Sequence, residues 1–185
     1  MISVFVSRAT PFNEMQRYFL ESLRTYLRTR GLEPRTIGDT DYGRDPMAHI
    51  RGVMMDCNGL LGIGLRRFHV IEGIDRPAAE ASELLHVIGA VKDRWTTSPY
   101  VHLETAIAYH VGLPMLMLVE KGVIMEGALE SGVIFMYPPS IDLTTRETID
   151  EFLSSERWRQ LVNTWEGEVR EVVANKGRPP RLYQR

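Results

Sequence analysis

Residues 96–118 read TTSPYVHLETAIAYHVGLPMLML, and they contain the signals of a helix that is followed at once by a buried strand. Ser98 and Pro99 are typical of a helix start, because a hydroxyl caps the first turn and proline fits its first position. Gly112 is typical of a helix end, and the apolar run at 115–120 suits a strand that is buried on both faces. We therefore expect one helix and then one strand in this stretch.

The same alternation of strand and helix continues along the rest of the chain. Short apolar runs predict four more strands, at 2–7, 33–37, 59–65 and 133–137. Capping signals and helical spacing of apolar residues predict a helix with Thr10 as its N-cap that ends at Gly31, a helix from Asp45 to Asp56, and charged helices at 144–153 and 156–175. Such alternation is typical of an α/β fold. We expect three layers, with a central parallel five-stranded sheet, helices on both faces and additional C-terminal helices.

The composition excludes several classes of protein. The 185 residues include 22 basic and 24 acidic ones, for a formal charge of −2, whereas a dedicated DNA-binding protein usually carries a basic stripe. The single cysteine, Cys57, excludes an internal disulfide and a zinc site built from several cysteines. The longest apolar stretch, 111–119, is far shorter than the ~20 residues that span a bilayer. We expect a cytoplasmic protein that binds neither nucleic acid nor membranes and holds no metal.

Glu104 is the strongest candidate for chemistry. In an open parallel sheet, ligands bind beyond the carboxyl ends of the strands, and the predicted Ser98 helix begins at that edge. Glu104 shares a helical stripe with Tyr100, Ile107, Ala108 and Val111, which is largely apolar. A carboxylate cannot be buried there without a partner, so it either faces a pocket or reaches solvent and pairs with a cation such as Arg94. The residues alone leave both interpretations open.

The pattern S-P-Y-x-x-L-E-x-A-x-A-Y-x-x-G-L-P at 98–114 resembles the catalytic helix shared by Toll/interleukin-1 receptor (TIR) domains and nucleoside 2-deoxyribosyltransferase-like proteins. The opening at 2–35 is also similar to the start of a TIR domain, and the resemblance extends over residues 2–138. In those families a glutamate on this helix acts on an N-glycosidic bond. The resemblance therefore implies a flavodoxin-like or TIR-like fold with Glu104 as the catalytic residue.

The sequence also departs from both families. A segment of about thirty residues, 66–97, stands where many TIR domains have a short loop with tryptophan and cysteine. The aspartate and glycines that often precede the glutamate of the deoxyribosyltransferases are absent as well. The choice between a nicotinamide-type and a nucleoside-type substrate therefore stays open. We expect the 66–97 segment, in which 77–91 could form a short helix and then a loop, to cover the pocket and to set the substrate.

Further residues at the carboxyl ends of the strands are candidates for substrate binding. Arg8 follows the first strand and could clamp a phosphate. Phe12 and Tyr42 could stack on a base, and Trp95 could line the pocket. The full predicted set comprises Ser7, Arg8, Thr10, Phe12, Tyr42, Arg66, Trp95, Ser98 and Tyr100.

These observations predict an enzyme that cleaves the N-glycosidic bond of NAD or a related nucleotide. NAD would be the substrate, and no cofactor is expected. The bacterial TIR resemblance further implies nicotinamide release, a signal of the ADP-ribose type in antiphage defence, a homo-oligomer and a partner effector protein. Two alternatives stay open: a nucleoside or deoxynucleotide 2-deoxyribosyltransferase or N-hydrolase, and an inactive module that binds nucleotides or assembles with itself. We expect a core at 1–140, a helical extension at 141–176 and a basic tail at 177–185.

Overall fold

The computed structural model describes residues 1–37, 45–74, 90–134, 138–175 and 177–179. The strands are β1 Ile2–Arg8, β2 Leu32–Arg35, β3 Leu60–Gly64, β4 Phe68–Ile74, β5 Ala90–Thr96, β6 Met115–Glu120 and β7 Ser140–Ile141. The helices are α1 Glu14–Thr29, α2 Pro46–Met55, α3 Pro99–His110, α4 Arg146–Ser154 and α5 Glu156–Ala174, with a 3-10 turn at Gly127–Leu129.

Five strands form a parallel sheet in the order β2-β1-β3-β6-β7. Counted along the chain, the strands of this sheet take the flavodoxin-like order 2-1-3-4-5. The remaining two strands, β4 and β5, form an antiparallel hairpin. The prediction of an α/β fold around a parallel five-stranded sheet is confirmed.

Helices cover both faces of the sheet because its strands are apolar on both sides. In β1, Val4 and Val6 belong to the buried cluster that includes α1, α4 and α5. Phe5, between them, belongs to the other cluster, which includes residues of α2 and α3. Successive side chains of a strand point to opposite faces, so Ser7 faces the α3 side and Arg8 faces the α1 side. This alternation fixes the side of the sheet on which each candidate side chain lies.

The C-terminal helices pack on the same face as α1. Trp158 and Trp165 of α5 are buried in the cluster that includes Val4 and Val6. The Trp165 indole N–H donates a hydrogen bond to the carbonyl of Pro114 at 3.2 Å, which joins α5 to the chain just before β6. The proposed division at residue 140 stays a prediction.

The N-cap predicted for the first helix is wrong. The cap of α1 is Asn13, not Thr10, and the Asn13 side chain accepts a hydrogen bond from the backbone N–H of Gln16 at 2.8 Å. Asparagine is at least as good an N-cap as threonine, so the helix begins three residues later than predicted. The capping predictions for Asp45 and Ser98 are confirmed by α2 and α3.

The fifth strand of the sheet also lies later than predicted. Residues 133 and 134 lie in a turn, and 135–137 lie outside the described residues. The strand that pairs with the end of β6 is Ser140–Ile141, in parallel register with Val119 and Glu120. A strand of only two residues has too little periodicity to be recognised in a sequence.

The 66–97 segment has secondary structure of its own. It contains the hairpin of β4 and β5, whose pairs run from Phe68 opposite Thr96 to Ile74 opposite Ala90. The backbone of Trp95 donates to Gly122 at 3.1 Å and accepts from Ile124 at 2.7 Å, so the base of the hairpin is attached to the segment after β6. The short helix and loop expected at 77–91 lie mostly outside the described residues. Residues 90–91, which are described, belong to β5.

In the described part of the chain, α5 is the longest helix, and none of the helices combines the length and apolar character needed to cross a membrane.

Candidate active site

A buried carboxyl–hydroxyl pair lies between β1 and α3. Ser98 caps α3 by accepting a hydrogen bond from the Tyr100 N–H at 3.3 Å, and the helix then places Glu104 toward the sheet. The Ser7 hydroxyl, at the carboxyl end of β1, donates a hydrogen bond to Glu104 Oε2 at 2.5 Å. Ser7 is fully buried and Glu104 is only 7 % exposed. The alternative interpretation of Glu104 as a solvated surface glutamate is therefore wrong.

The buried face of α3 differs slightly from the predicted stripe. It consists of Val101, Glu104, Thr105 and Ala108, whereas Tyr100 is 41 % exposed. The Thr105 hydroxyl donates to the Val101 carbonyl at 2.6 Å within the helix, so it needs no outside partner. Glu104 is thus the one ionisable side chain on this buried face.

The environment changes the acidity of Glu104. Burial raises the pKa of the carboxyl from its ordinary value of 4.5 to about 7. The hydrogen bond from Ser7 and the positive charge of Arg8 act in the opposite direction, since both favour the ionised form. A pKa near 7 means that both protonation states of Glu104 are populated at neutral pH. Carboxyl groups with this property are frequent in active sites.

A second buried polar cluster, which the sequence analysis missed, lies at the carboxyl ends of β3 and β6. Glu120 Oε2 accepts hydrogen bonds from the Gln16 side-chain amide at 2.8 Å and from the Arg66 N–H at 2.7 Å. The same amide also donates to the Arg66 carbonyl at 3.0 Å, and Gln16 Oε1 accepts from the Phe12 N–H at 3.0 Å. Gln16 is fully buried, and both of its side-chain polar atoms are paired.

This cluster positions the loops around the candidate site. It ties the segment after β1, through Phe12, to the chain that leaves β3 at Arg66. The hydrogen-bonding groups of the cluster are paired with one another, so its role is to hold these loops in place. In the sequence, this cluster is indicated by the glutamate that ends the apolar run MLMLVE, because a carboxylate next to a buried strand needs a hydrogen-bond donor.

Three aromatic rings form a stack beside this cluster. Trp95 of the hairpin lies parallel to His69 with ring centroids 4.2 Å apart, and parallel to Phe12 with centroids 5.8 Å apart. The guanidinium of Arg66 lies 5.8 Å from the centre of the Trp95 ring. Phe12 is 53 % exposed, so part of its ring is available to a ligand. We call Phe12, Trp95 and His69 the aromatic stack.

The structure brings some of the predicted site residues together and separates others. Ser7 and Arg8 act on Glu104 directly. Phe12, Trp95 and Arg66 form a second group around the aromatic stack. The Arg66 guanidinium donates to the Lys121 carbonyl at 2.7 Å, so it is held by the backbone.

The remaining predicted residues are more dispersed. Ser98 caps α3 and accepts a 3.5 Å hydrogen bond from Arg67. Thr10 and Tyr100 are exposed, and each has an interaction partner. Tyr42 lies outside the described residues.

Comparison with known proteins gives only a distant similarity. No protein-family model matches the chain, and no curated protein matches it. Among solved structures, the chain is similar to the CMP N-glycosidase BcmB of Clostridium botulinum, with 16% identity and a TM-score of 0.38 over 64% of this chain and 70% of that one. This similarity is too distant to assign the chain to the class of that protein. The resemblance to TIR domains also stays a prediction.

Proposed function

We propose that this protein is an enzyme that cleaves the N-glycosidic bond of NAD or a related nucleotide, with Glu104 as the catalytic residue. The observation that carries the proposal is the buried Ser7–Glu104 pair. It combines a carboxyl with a pKa of about 7, a single short hydrogen bond that orients it, and a location near the carboxyl ends of the strands. That edge of a parallel sheet is where ligands bind in folds of this type.

The chemistry follows from the charge that develops on the sugar. When the bond between C1′ and the base nitrogen breaks, positive charge appears on the ribose, as in glycoside hydrolysis. Ionised Glu104 would stabilise this charge or attack C1′, and a water molecule would then form the new bond to C1′ and release a proton to solvent. Nicotinamide leaves NAD as a neutral molecule, because the ring carries its positive charge before the bond breaks. Cleavage of NAD therefore needs no acid, and one oriented carboxylate is sufficient.

Other residues of the site would bind the substrate. The exposed ring of Phe12, supported by Trp95, offers a surface on which a base can stack. Arg8 carries a positive charge close enough to Glu104 to lower its pKa, so a phosphate bound there would lie near the sugar. Ser7 is a positioning residue, since its hydroxyl is already used to hold Glu104.

The raised pKa of Glu104 also supports a second candidate, a nucleoside or deoxynucleotide N-hydrolase or transferase. The base of an ordinary nucleoside leaves as an anion unless it is protonated, and the protonated fraction of Glu104 could supply that proton. The two candidates predict opposite pH dependence. Cleavage of NAD should increase as the pH rises through about 7, whereas cleavage that uses protonated Glu104 should decrease over the same range.

The decisive experiment compares wild type with Glu104→Gln and Glu104→Ala. Each protein is incubated at high concentration with NAD and with a panel of nucleosides and nucleotides, and released bases are separated by chromatography. We expect both variants to lose turnover while circular dichroism shows that they stay folded. The exposed Glu130→Gln variant is the matched control and should keep full activity. Full activity of both Glu104 variants would overturn the proposal.

Analysis of the products tests the biological part of the proposal. Mass spectrometry of a reaction with NAD would distinguish ADP-ribose from a cyclised or transferred product. Release of an ADP-ribose-type signal is what a role in antiphage defence requires, and light scattering during turnover would detect the expected homo-oligomer. Tight nucleotide binding without any turnover would instead favour the inactive binding module.

A further inference from the structure

A groove lies on the face of the sheet opposite Glu104, between α1 and the edge strand β2. Its volume is about 180 Å³. Val6 and Arg8 line it from β1, and both face the α1 side, whereas Ser7 between them faces Glu104. The groove therefore lies on the other face of the sheet from Glu104, and it shares one residue with the candidate active site, Arg8, whose charge also acts on Glu104. We call it the α1–β2 groove.

The floor of the α1–β2 groove is apolar. Val6, Leu23 and Leu27, all buried, lie at the bottom, and Pro34 contributes to the wall formed by β2. A floor of this kind contacts the carbon skeleton of a ligand and excludes water from beneath it. An ordinary solvated charged surface has no such floor.

The rim of the groove carries a concentration of positive charge. Among the described residues, four arginines line it, Arg8, Arg17, Arg24 and Arg35, against one acidic residue, Glu21. This excess is unusual for a chain whose net charge is −2. Arg17, Glu21 and Arg24 lie at positions i, i+4 and i+7 of α1, so they share one face of the helix.

Three arginines of this rim, Arg17, Arg24 and Arg35, are weakly compensated. In the described part of the chain, no ion pair or side-chain hydrogen bond is formed by Arg17 or Arg24, and Arg35 has only a long contact of 3.9 Å with Asp56. Five arginines elsewhere are paired at shorter distances, namely Arg28, Arg30, Arg146, Arg159 and Arg170. The groove thus holds donors that a bound anion could satisfy.

We infer that the α1–β2 groove is a second binding site, which takes a compact phosphate ester such as a sugar phosphate or a glycerol phosphate. Guanidinium groups bind phosphate oxygens through two parallel hydrogen bonds, and Arg17 and Arg24 supply two such groups on one wall. The apolar floor contacts the carbon part of the ester. A cavity of about 150 Å³ accommodates benzene, so the groove has room for a small ester.

The test is calorimetric titration of the full chain with glycerol 3-phosphate at low salt. Wild type should bind one equivalent, and inorganic phosphate should bind more weakly because it does not use the apolar floor. The double variant Arg17→Gln/Arg24→Gln should bind about tenfold more weakly or worse, as the loss of two partly exposed charge pairs implies. Arg8 is left unchanged because its charge also acts on Glu104.

Three comparisons make the test specific. Arg157→Gln removes an exposed arginine from α5, away from the groove, and should bind like wild type. Glu104→Gln should also bind like wild type, so this result does not depend on the proposed catalytic function. The double variant Arg17→Lys/Arg24→Lys keeps both charges but loses the two parallel hydrogen bonds that each guanidinium can donate to a phosphate. It should bind with intermediate affinity. Thermal unfolding of each variant checks that α1 is intact.

Several outcomes would overturn the inference. One is the absence of saturable binding to wild type, and another is binding by Arg17→Gln/Arg24→Gln that is as tight as that of wild type. A third is a loss of affinity in Arg157→Gln as large as that in the double glutamine variant. Loss of binding in Glu104→Gln alone would place the ester in the candidate active site instead of the groove.

Discussion

Replacing Glu104 by glutamine should make the folded protein more stable at alkaline pH. Burial raises the pKa of this carboxyl to about 7, while the same group in the unfolded chain has its ordinary value of 4.5. As the pH rises, the unfolded chain releases this proton first, because the folded state disfavours the ionised form. The contribution of Glu104 to the free energy of unfolding is therefore lost as the pH rises from about 4.5 to about 7.

The size of the effect follows from the difference between the two pKa values. One pKa unit corresponds to about 1.4 kcal/mol, so linkage between pH 5 and pH 8 gives a loss of roughly 2–3 kcal/mol in wild type. Glutamine has the shape of a protonated glutamate and does not ionise, so Glu104→Gln should not suffer this loss. Proteins retain residues that lower stability where activity depends on them, so this cost agrees with a catalytic role for Glu104.

The measurement is urea-induced unfolding of wild type and Glu104→Gln at pH 5 and pH 8. Other groups titrate in both proteins, so the quantity of interest is how the stability difference between them changes with pH. We expect the variant to gain roughly 2–3 kcal/mol relative to wild type between the two pH values. Glu130→Gln controls for removal of one negative charge from the surface. A stability difference that stays constant from pH 5 to pH 8 would show that Glu104 is not buried as described.

Three further predictions concern neighbouring residues. Ser7→Ala removes a hydrogen bond that lowers the Glu104 pKa, so the midpoint of the activity–pH profile should move to higher pH, and an unchanged midpoint would rule out the positioning role. Trp95→Ala removes the ring that supports Phe12, so steady-state kinetics should show a raised KM with kcat largely kept. A lowered kcat with an unchanged KM would exclude base stacking at this position. Asn13→Ala removes the α1 cap and should cost about 1 kcal/mol in urea unfolding, with Asn175→Ala at the exposed end of α5 as a comparison. Equal stability of the Asn13 variant and wild type would contradict the cap.

The chain's local patterns were sufficient for the class of fold. Helix caps, glycine stops and apolar runs depend on residues that lie within a few positions of one another, so Ser98, Asp45 and the run MLMLVE could be interpreted directly. Errors occurred where two local signals competed, as with Thr10 and Asn13, or where a strand was too short to show a pattern. Glu104 was identified because a carboxylate on an apolar helical stripe is conspicuous in the sequence.

Which side chains meet was decided only by the tertiary structure. Ser7 and Glu104 are 97 positions apart, and Gln16 and Glu120 are 104 apart. Their contacts depend on the register of parallel strands and on the face to which each side chain points. The α1–β2 groove likewise combines arginines from β1, α1 and β2, which have no common motif. Residue patterns along the chain are governed by local geometry, whereas a site also needs the long-range packing that places distant segments side by side.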